Sequence, residues 1–391
     1  MRRVLSLATL YPNAVAPRFG TFVARQMEAL AERRNWDVTV INPVGIPPVV
    51  FGRYRKLAGA LASGDEHGVH VRRPRFTLIP GFARRNPAAI ARAVLPLARR
   101  LHAQQPFDLV DAQFFYPDGP AAASIASALG LPLSIKARGA DIHLWGRKDW
   151  ARAAMVAAGT QAAGLLAVSG PLADDMAAMG LPRHKIAVHY TGLDRTRFHP
   201  LGRDNARLAL AADFGLRVAP ERVLIACVGA LIERKGQAFA IRALAQLPEA
   251  ELALVGAGPD RQSLQRLADE LGVNARVHFL GTIDHDQLPI VLSAAAAMVL
   301  PSASEGLANA WVEALACGTP LVICDAGGAR EVVRNPSAGR IVARDAGAIA
   351  AALTELLADP VPPQFVAANA ARYSWEANAA ALEQYYDRLV G

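Results

Sequence analysis

The chain has 391 residues and a formal net charge of +8; 52 % of its residues are hydrophobic and 19 % are charged. This length suits about two to three domains that each bury a core, and the apolar content excludes a disordered chain. No apolar run reaches the ~18 residues that a membrane-spanning helix needs. Cys227, Cys317 and Cys324 lie in apolar segments without metal-ligand spacing, so we expect buried thiols in a reducing cytoplasm.

Short apolar runs alternate with helical patterns along the whole chain. The first run follows Arg2 and Arg3 and stops at Tyr11, which predicts a buried strand and not a signal peptide. The predicted strands of the first series are 4–10, 38–42, 109–112 and 133–136, with helices such as 22–33 and 88–101. Those of the second series are 223–228, 253–255, 277–280, 297–300 and 321–323. This alternation indicates two α/β units with parallel strands and crossover helices.

Two boundaries follow from the same pattern. The joint between the two units is predicted near residues 195–217, where the charged segment 202–207 interrupts the strands. Ser374 is a candidate cap for a final helix over residues 375–389.

Two carboxylates, Glu305 and Glu313, stand eight positions apart across a predicted strand-to-helix junction. The amides of Leu307, Ala308 and Asn309 would be free donors at the helix N-terminus, which is an anion site. A rise of roughly 1.5 Å per residue puts the two Glu at most ~12 Å apart along the axis, about the reach of a nucleotide-diphospho-sugar. Two surface Glu on an amphipathic helix are the alternative interpretation.

Segment 305–333 resembles the donor-binding region of the retaining glycosyltransferases of family 4. Segments 228–236, 254–259 and 191–200 resemble further motifs of that family, and 17–26 and 138–142 match it more sparsely. The resemblance implies the α/β GT-B fold, with two Rossmann-like doubly wound domains and a cleft between them. Residues 1–196 would bind the acceptor, with the helix 374–391 packed back on them, and residues 197–373 would bind the donor.

The same resemblance implies roles for residues of the second domain. Glu305 would hold sugar hydroxyls and Glu313 the ribose, and Lys235 is the candidate cation for the departing diphosphate. Ala230 stands where the family usually has a basic residue, so either Arg234 reaches over in its place or donor activation is weaker. The further residues expected at the donor are Gly229, Gly256, Gly306, Leu307, Ala308 and Asn309.

In the first domain, Gly20 and Thr21 are placed to open a helix whose amides approach the diphosphate or the acceptor; a simple tight turn is the alternative. Arg138 and Gly139 are the expected acceptor contacts, although relatives often carry His where this chain has Arg138. Asp141 either accepts a hydrogen bond from an acceptor hydroxyl, which would make it a catalytic candidate, or caps the next turn. His143 and His189 are expected to be packed or surface histidines.

Two other chemistries are not favoured. The segment 256–261 lacks the third glycine of a dinucleotide-binding fingerprint and has Pro259 in the phosphate turn, which argues against a Rossmann oxidoreductase. Asp284 and Asp286 resemble a metal-binding Asp-x-Asp, but we interpret them as the solvated start of a helix. We therefore expect no metal and no cofactor.

Basic residues are concentrated in the first half of the chain. Residues 1–196 carry 25 Lys and Arg against 13 Asp and Glu, and residues 197–391 carry 17 against 21. An anionic membrane surface is one expected partner, at roughly 1 kcal/mol for each basic side chain near it. Residues 49–51 and Leu57 beside Arg53, Arg55 and Lys56 would form the interfacial patch, with Arg72 and Arg73 adding charge. A well-solvated Arg-rich face is the alternative, and no nucleic-acid motif accompanies the charge.

The function expected from this resemblance is metal-independent, retaining transfer of a sugar from a nucleotide-diphospho-sugar to a hydroxyl. The expected donor is a UDP- or GDP-sugar, although these residues fix neither base nor sugar. The expected acceptor is a lipid-linked or polysaccharide glycan in bacterial surface-polysaccharide assembly, at the cytoplasmic side of the membrane. A nucleotide-sugar 2-epimerase of the same fold and a non-catalytic nucleotide-sugar-binding subunit remain alternatives.

Overall fold

The computed structural model describes residues 1–50 and 52–391, without the side chains of Arg53 and Ala58. It divides into two compact units, of which the first contains Met1–Gly192 and Trp375–Gly391 and the second contains Leu193–Ser374. No helix in the described part of the chain has the length and apolar character that crossing a bilayer requires.

The first unit alternates strands with helices. Its strands are β1 (Arg2–Leu7), β2 (Trp36–Ile41), β3 (Val44–Ile46), β4 (Gly64–Glu66), β5 (Val69–Arg72), β6 (Arg75–Thr77), β7 (Leu109–Ala112), β8 (Leu133–Ala137), β9 (Gly164–Ala167) and β10 (Ile186–Val188). The helices between them are α1 (Thr21–Glu32), α2 (Asn86–Gln104), α3 (Asp118–Leu129), α4 (Asp149–Gln161) and α5 (Gly170–Ala178).

The second unit repeats this alternation. Its strands are β11 (Val223–Val228), β12 (Ala250–Val255), β13 (Val277–Gly281), β14 (Ala297–Leu300), β15 (Leu321–Cys324) and β16 (Gly339–Val342). Its helices are α6 (Arg203–Phe214), α7 (Gln237–Leu244), α8 (Arg261–Glu270), α9 (Leu288–Ala294), α10 (Asn309–Ala316), α11 (Ala329–Val332), α12 (Ala346–Ala358) and α13 (Pro363–Ala368). The last helix of the chain, α14 (Trp375–Val390), belongs to the first unit.

Each unit is built on one mainly parallel sheet. Within the described residues, the sheet of the first unit has the order β10-β9-β8-β7-β1-β2-β5-β4, in which β4 alone runs antiparallel to its neighbour, and β3 pairs with β6 separately. The sheet of the second unit has the order β13-β12-β11-β14-β15-β16, and all of its pairs are parallel. This is the 3-2-1-4-5-6 order of a doubly wound nucleotide-binding fold. The prediction of α/β units with parallel sheets is confirmed.

The helix α14 is fixed to the first unit by apolar packing and by polar contacts. Its Tyr386 packs edge-to-face on Trp36 with ring centroids 5.4 Å apart, and both side chains lie in one buried cluster with α1 and the central strands. Each such fully buried side chain contributes about 1.5–3 kcal/mol. Glu383 accepts from Arg33 Nε at 2.7 Å and from Asn35 Nδ2 at 2.9 Å.

Several sequence predictions can be compared with these elements. The first apolar run forms the buried strand β1, as expected. The charged segment 202–207, suggested as the joint, opens α6 inside the second unit, and the two units divide after Gly192. All three cysteines are free and buried.

The expected basic membrane patch is partly wrong. Arg73 is buried, because it pairs with Glu66 at 2.6 Å and donates to the carbonyl oxygens of Pro12 and Ala62. Leu57 is partly buried against the small cluster of Val44, Ile46 and Ala60, so only part of its side chain reaches the surface. Phe51 and the side chain of Arg53 lie outside the described residues.

Asp118, at the start of α3, makes a contribution to the free energy of unfolding that depends on pH. Its carboxylate is fully buried and accepts from Thr9 Oγ1 at 2.7 Å and from Thr9 N at 2.9 Å. Burial raises the pKa of Asp118 to about 7 in spite of these bonds. A carboxyl with a higher pKa in the folded than in the unfolded chain binds its proton more tightly when folded, so its contribution to stability is lost as the pH rises from about 4 to about 7.

We therefore expect Asp118→Asn to gain stability relative to the wild type as the pH rises. Between about pH 5 and pH 8 the difference in free energy of unfolding should move in favour of the variant by about 2 kcal/mol. Urea denaturation at both pH values measures this, with Asp149→Asn, an exposed carboxylate on α4, as the control. A wild-type-minus-variant difference that does not change with pH would contradict the raised pKa.

Candidate functional site

The second sheet has a topological switch point between β11 and β14, where the strand order reverses direction. In open parallel sheets, ligands bind beyond the carboxyl ends of the strands at this point. The loops that leave these ends are 229–236, after β11, and 301–308, after β14. They carry most of the residues that the sequence suggested for the donor.

These two loops meet through an ion pair. Lys235 Nζ lies 2.5 Å from Glu305 Oε1, and Arg234 Nη1 lies 3.5 Å from the same oxygen and donates to the carbonyl oxygen of Ser304. Glu305 is about nine-tenths buried, whereas Arg234 remains close to half exposed. The structure thus brings Lys235, Arg234 and Glu305 together, although 70 positions separate Lys235 from Glu305. Glu305 Oε2 has no hydrogen-bond partner among the described residues.

Hydrogen bonds to backbone carbonyl oxygens hold the two loops together. The Ala303 amide donates to the Arg234 carbonyl oxygen at 2.8 Å. Arg344 donates to the carbonyl oxygens of Pro301 and Glu233, both at 2.8 Å, and its guanidinium lies 4.7 Å from the Phe239 ring centroid. The single side chain of Arg344 therefore bonds both the loop after β11 and the loop after β14.

Glycines allow this close approach. Gly236 has φ +77° and a Cβ there would lie 2.4 Å from the Pro301 carbonyl oxygen. The amides of Gly229 and Gly256 donate to Val255 and Gly281 carbonyl oxygens, and a Cβ on Gly256 would lie 2.0 Å from the Gly229 carbonyl oxygen. Gly256, which follows β12, thus packs closely on the start of the loop after β11, and the amides of both glycines are already bonded to the ends of neighbouring strands.

The helix after β14 begins later than the sequence suggested. Helix α10 starts at Asn309 with Ala308 as its N-cap residue, so Leu307 and Ala308 belong to the preceding loop. Gly306 accepts from the Gly328 amide at 2.8 Å, which fixes this loop against the next one. Among the described residues, none accepts a hydrogen bond from the amides of Leu307 and Ala308. A cluster of donors at the start of α10 is therefore present, with two of its members in the loop.

Glu313 lies in α10 and is almost fully buried, and it contacts a residue that the sequence did not point to. His285 Nε2 lies 2.9 Å from Glu313 Oε1, and Arg197 Nη1 lies 3.3 Å from His285 Nδ1. Because a guanidinium can only donate, Nδ1 is the acceptor and Nε2 carries the proton that it donates to Glu313. His285 thus orients the carboxylate of Glu313, whose Oε2 has no protein partner in the described part of the chain.

The segment around Asp284 and Asp286 is not the start of a helix. Helix α9 begins at Leu288 with Gln287 as its N-cap, and Asp286 pairs with Arg197 at 3.0 Å. Both Asp are exposed, as expected, and the chain makes one further turn before the helix, through the bond from the Gln287 amide to the Asp284 carbonyl oxygen. The described residues contain no group of three or more His, Cys, Asp or Glu that could hold a metal ion.

In the first unit, Asp141 is completely buried. Its Oδ1 accepts from the amides of Gly139 at 2.8 Å and Arg138 at 3.0 Å, and its Oδ2 accepts from the Phe115 amide at 2.9 Å. Burial raises the pKa of Asp141 against the effect of these bonds. The geometry favours the capping interpretation, since the carboxylate is occupied by the backbone of the loop after β8.

Arg138 belongs to a buried polar network. Its Nη2 donates to Gln113 Oε1, and Nε donates to the Gln113 carbonyl oxygen at 3.1 Å. Lys136 Nζ donates to Gln26 Oε1 at 2.8 Å and contacts His189 Nδ1 at 2.5 Å. Burial lowers the pKa of His189 well below its usual value, so this ring is neutral and its Nε2 donates to the Asn378 carbonyl oxygen at 2.9 Å.

Gly20 and Thr21 stand at the start of α1, as expected from the sequence. Gly20 has φ +74° and is buried, and a Cβ there would lie 2.5 Å from the Leu10 carbonyl group. Thr21 is exposed. Arg138 reaches the first turn of this helix, because its guanidinium lies 5.0 Å from the centroid of the Phe22 ring. The structure therefore brings the predicted residues of the first unit into one neighbourhood.

The polar partners of Arg138 could hardly be predicted from the sequence. Gln26, Gln113, Lys136 and His189 are all buried. Their common signal is a polar side chain within an apolar helix or strand, as for Gln26 and Lys136, or directly after a strand, as for Gln113 and His189. His143, by contrast, is partly exposed and lies 2.9 Å from Asp175. His285 had no such signal, because it lies in a polar loop.

Fold and site together define a doubly wound α/β protein with a paired cation–carboxylate cluster at its switch point. The match to known families is more specific. Residues 20–197 match "Glycosyltransferase Family 4" and residues 212–374 match "Glycosyl transferases group 1". The chain belongs to the family 4 glycosyltransferases, and the resemblance stated from the sequence is confirmed.

Curated relatives match part of the chain. A GDP-mannose-dependent alpha-(1-6)-phosphatidylinositol monomannoside mannosyltransferase of Mycolicibacterium smegmatis is 38 % identical over 181 residues, which cover 43 % of this chain and 46 % of that protein. A D-inositol 3-phosphate glycosyltransferase of Mycobacterium tuberculosis is 38 % identical over 221 residues, covering 53 % and 44 %. The chain thus spans just under half the length of these curated relatives.

Solved structures match the whole chain. Sucrose-phosphate synthase from Thermosynechococcus elongatus superposes with a TM-score of 0.79 at 22 % identity, covering 100 % of this chain and 99 % of that one. HepE of Anabaena in complex with UDP gives 0.76 at 20 % identity, covering 99 % and 100 %. At this identity the likeness shows the fold alone, which is GT-B as expected.

The close approach at Gly236 gives a testable expectation. Gly236→Ala should lower the free energy of unfolding by about 2–4 kcal/mol, because it adds a backbone clash to the strain of a positive φ. Gly215→Ala is the matched control: Gly215 has φ +67° and open space around the built Cβ. It should lose only the strain of about 1 kcal/mol. Urea denaturation of both variants measures the difference, and equal losses would rule out the close approach.

Proposed function

We propose that this protein is a retaining glycosyltransferase that moves a sugar from a nucleotide-diphospho-sugar to a hydroxyl acceptor. The observation that carries the proposal is the cluster of Lys235, Arg234 and Glu305 beyond the switch point, together with the amides of Leu307 and Ala308, for which the described residues provide no acceptor. Departure of a nucleoside diphosphate develops negative charge on phosphate oxygens, and fixed cations and amides stabilise that charge. Family membership supports the same reaction.

The geometry suggests how one ion pair could serve two ligands. An ammonium group has three N–H donors, and Glu305 uses one of those on Lys235, so two remain for phosphate oxygens. Glu305 Oε2 remains available to accept from sugar hydroxyls. Glu305 then orients the sugar and does not act as the nucleophile. In such a same-face reaction the departing phosphate itself takes the acceptor proton, so neither a carboxylate pair nor a metal is required, and we expect turnover to survive a chelator.

Arg234 is proposed to compensate for Ala230. Its guanidinium lies beside Lys235 at the same carboxylate oxygen and remains partly exposed. A second cation on the same loop could therefore supply the charge that a basic residue at position 230 supplies in relatives.

The donor is proposed to be a UDP- or GDP-sugar, with no further cofactor. One curated relative is named as GDP-mannose-dependent, and HepE was solved with UDP-glucose. A phosphatidylinositol mannoside in the name of that first relative supports a lipid-linked acceptor for this chain, in surface-glycan assembly.

We also propose a cytoplasmic location, which the three buried free thiols support. Residues of the first unit, Arg138, Gly139 and Thr21, are the proposed acceptor side.

The assignment of Glu313 to the ribose can be tested by binding. Glu313→Ala should weaken nucleoside-diphosphate binding by about 2–3 kcal/mol, the scale of lost charge-assisted hydrogen bonds. Calorimetry with UDP and GDP measures this. The control is Glu355→Ala, which removes a carboxylate of the same unit that pairs with Arg340 at 2.7 Å. An affinity unchanged within error would remove Glu313 from the site.

The role of the cations can be tested by kinetics. Lys235→Ala should lower kcat far more than donor affinity, because the interaction strengthens as charge develops on the phosphate. Arg234→Ala should do the same if Arg234 compensates for Ala230, and Arg340→Ala is the control cation. If Arg234→Ala has no effect while Ala230→Arg raises kcat, the compensation hypothesis is wrong.

One assay separates the proposed function from its alternatives. Incubation with uridine-, guanosine- and adenosine-diphosphate sugars and a glycan or lipid-linked acceptor should release the nucleoside diphosphate and form a glycoside whose anomeric configuration matches the donor. A change of configuration at sugar C2 without transfer would indicate a 2-epimerase. Nucleotide binding without turnover on any donor would indicate a non-catalytic subunit.

A further inference from the structure

Two exposed turns of the first unit follow the carboxyl ends of β3 and β6, which form a small parallel sheet. β3 and β6 are parallel, with Ile46 opposite Thr77, and the Leu78 amide donates to the Ile46 carbonyl oxygen at 3.1 Å. Because parallel strands point the same way, the segments that follow both strands leave at one end of this sheet. The first segment carries Val49 and Val50, and the second carries Ile79 and Phe82.

These apolar side chains lie at the surface and not in the core. Val49 is 71 % exposed and Phe82 is 56 % exposed, and Val50 and Ile79 are also exposed. Arg84 and Arg85 are exposed in the same turn as Phe82, and the Arg85 guanidinium lies 5.5 Å from the Phe82 ring centroid. We call Val49, Val50, Ile79, Phe82, Arg84 and Arg85 the docking face.

The turn that carries Phe82 is held in place. The Phe82 amide donates to the Ile79 carbonyl oxygen at 3.1 Å, and Tyr116 Oη donates to the Ala83 carbonyl oxygen at 2.8 Å. The Tyr116 ring contacts Trp145 and Trp150, with centroids 5.0 and 5.5 Å away. An exposed Phe on a braced turn loses little conformational freedom on binding, so it is a good anchor.

The charge around these turns has one sign. Residues 47–63 and 78–91, which contain the two turns, have no Asp or Glu and have five Lys and Arg. Among them, Arg55, Lys56, Arg84 and Arg85 are exposed. Because Arg73 is buried and Leu57 is partly buried, the exposed basic and apolar side chains lie in these two turns and not at residues 72–73.

We propose that the docking face binds the surface of an anionic phospholipid bilayer, with Val49 and Phe82 inserted at the headgroup boundary and Arg84 and Arg85 at the lipid phosphates. Apolar tips beside basic residues suit an interface that is apolar below and anionic above. A polyanion such as nucleic acid would use the arginines but offers no apolar layer for Val49 and Phe82. The proposal does not depend on transferase activity, because binding to lipid requires neither donor nor acceptor.

The test is cosedimentation of the full chain with phosphatidylcholine vesicles that contain or lack phosphatidylglycerol. The wild type should sediment with the anionic vesicles at low salt and be released at high salt, since screening shortens the attraction to about 8–10 Å at physiological ionic strength. Arg84→Ser with Arg85→Ser should lower the partition coefficient about tenfold or more. Val49→Ser with Phe82→Ser should lower it by a similar factor, because apolar insertion is lost.

Matched controls separate the docking face from general charge and apolarity. Arg99→Ser with Arg100→Ser removes the same charge from the exposed end of α2 and should leave binding unchanged. Leu208→Ser removes an exposed apolar side chain from the second unit and should also have no effect. Thermal unfolding by circular dichroism verifies that all variants fold, which is expected because every changed residue is exposed.

Several outcomes would overturn the proposal. These are equal partitioning to neutral and anionic vesicles, no sedimentation at low salt, or the same loss in the Arg99 and Arg100 variant. A further contrary result would combine two findings. A short DNA duplex would bind the wild type but not the Arg84→Ser, Arg85→Ser variant, and the Val49→Ser, Phe82→Ser variant would bind vesicles as the wild type does. That combination would define a polyanion site instead.

Discussion

A carboxylate that is nearly removed from water has to be paired, and in the second unit that requirement falls on Glu305. Its partner, Lys235, comes from a different loop, so the pair is satisfied only when the loops after β11 and β14 adopt one mutual arrangement. An unpaired buried charge would cost several kcal/mol, whereas the pair itself contributes little net stability. The ion pair therefore acts mainly on geometry.

The rest of the second unit is consistent with this constraint. Arg344 bonds the same two loops from outside, and Gly236 gives the space that the approach requires. The doubly wound strand order puts both loops at the switch point, where a ligand can reach them. A site held in this way needs little reorganisation when charge develops on a bound phosphate, which is what electrostatic stabilisation requires.

In the first unit a buried Lys136 likewise needs polar partners, and it finds them in a series of buried polar side chains. Lys136 is fully buried, and burial lowers its pKa well below the usual value. Its nitrogen donates to Gln26 Oε1 and contacts Nδ1 of a neutral His189, and His189 is held in turn by the backbone of α14. The final helix of the chain thus supports the loop that carries Arg138, even though their sequence positions are far apart.

The sequence by itself determined the family, the parallel strands and the segments that carry the candidate site. These features are local: strand runs, turn glycines and the spacing of Glu305 and Glu313 are all visible within short windows. The tertiary structure alone decided the contacts between windows. Lys235 contacts Glu305 across 70 positions, and His285 orients Glu313. Arg73 is buried and pairs with Glu66, although the basic cluster around it in the sequence suggested an exposed charge. Such contacts depend on strand order and on which polar groups are left buried, and neither is encoded in the spacing of any single segment.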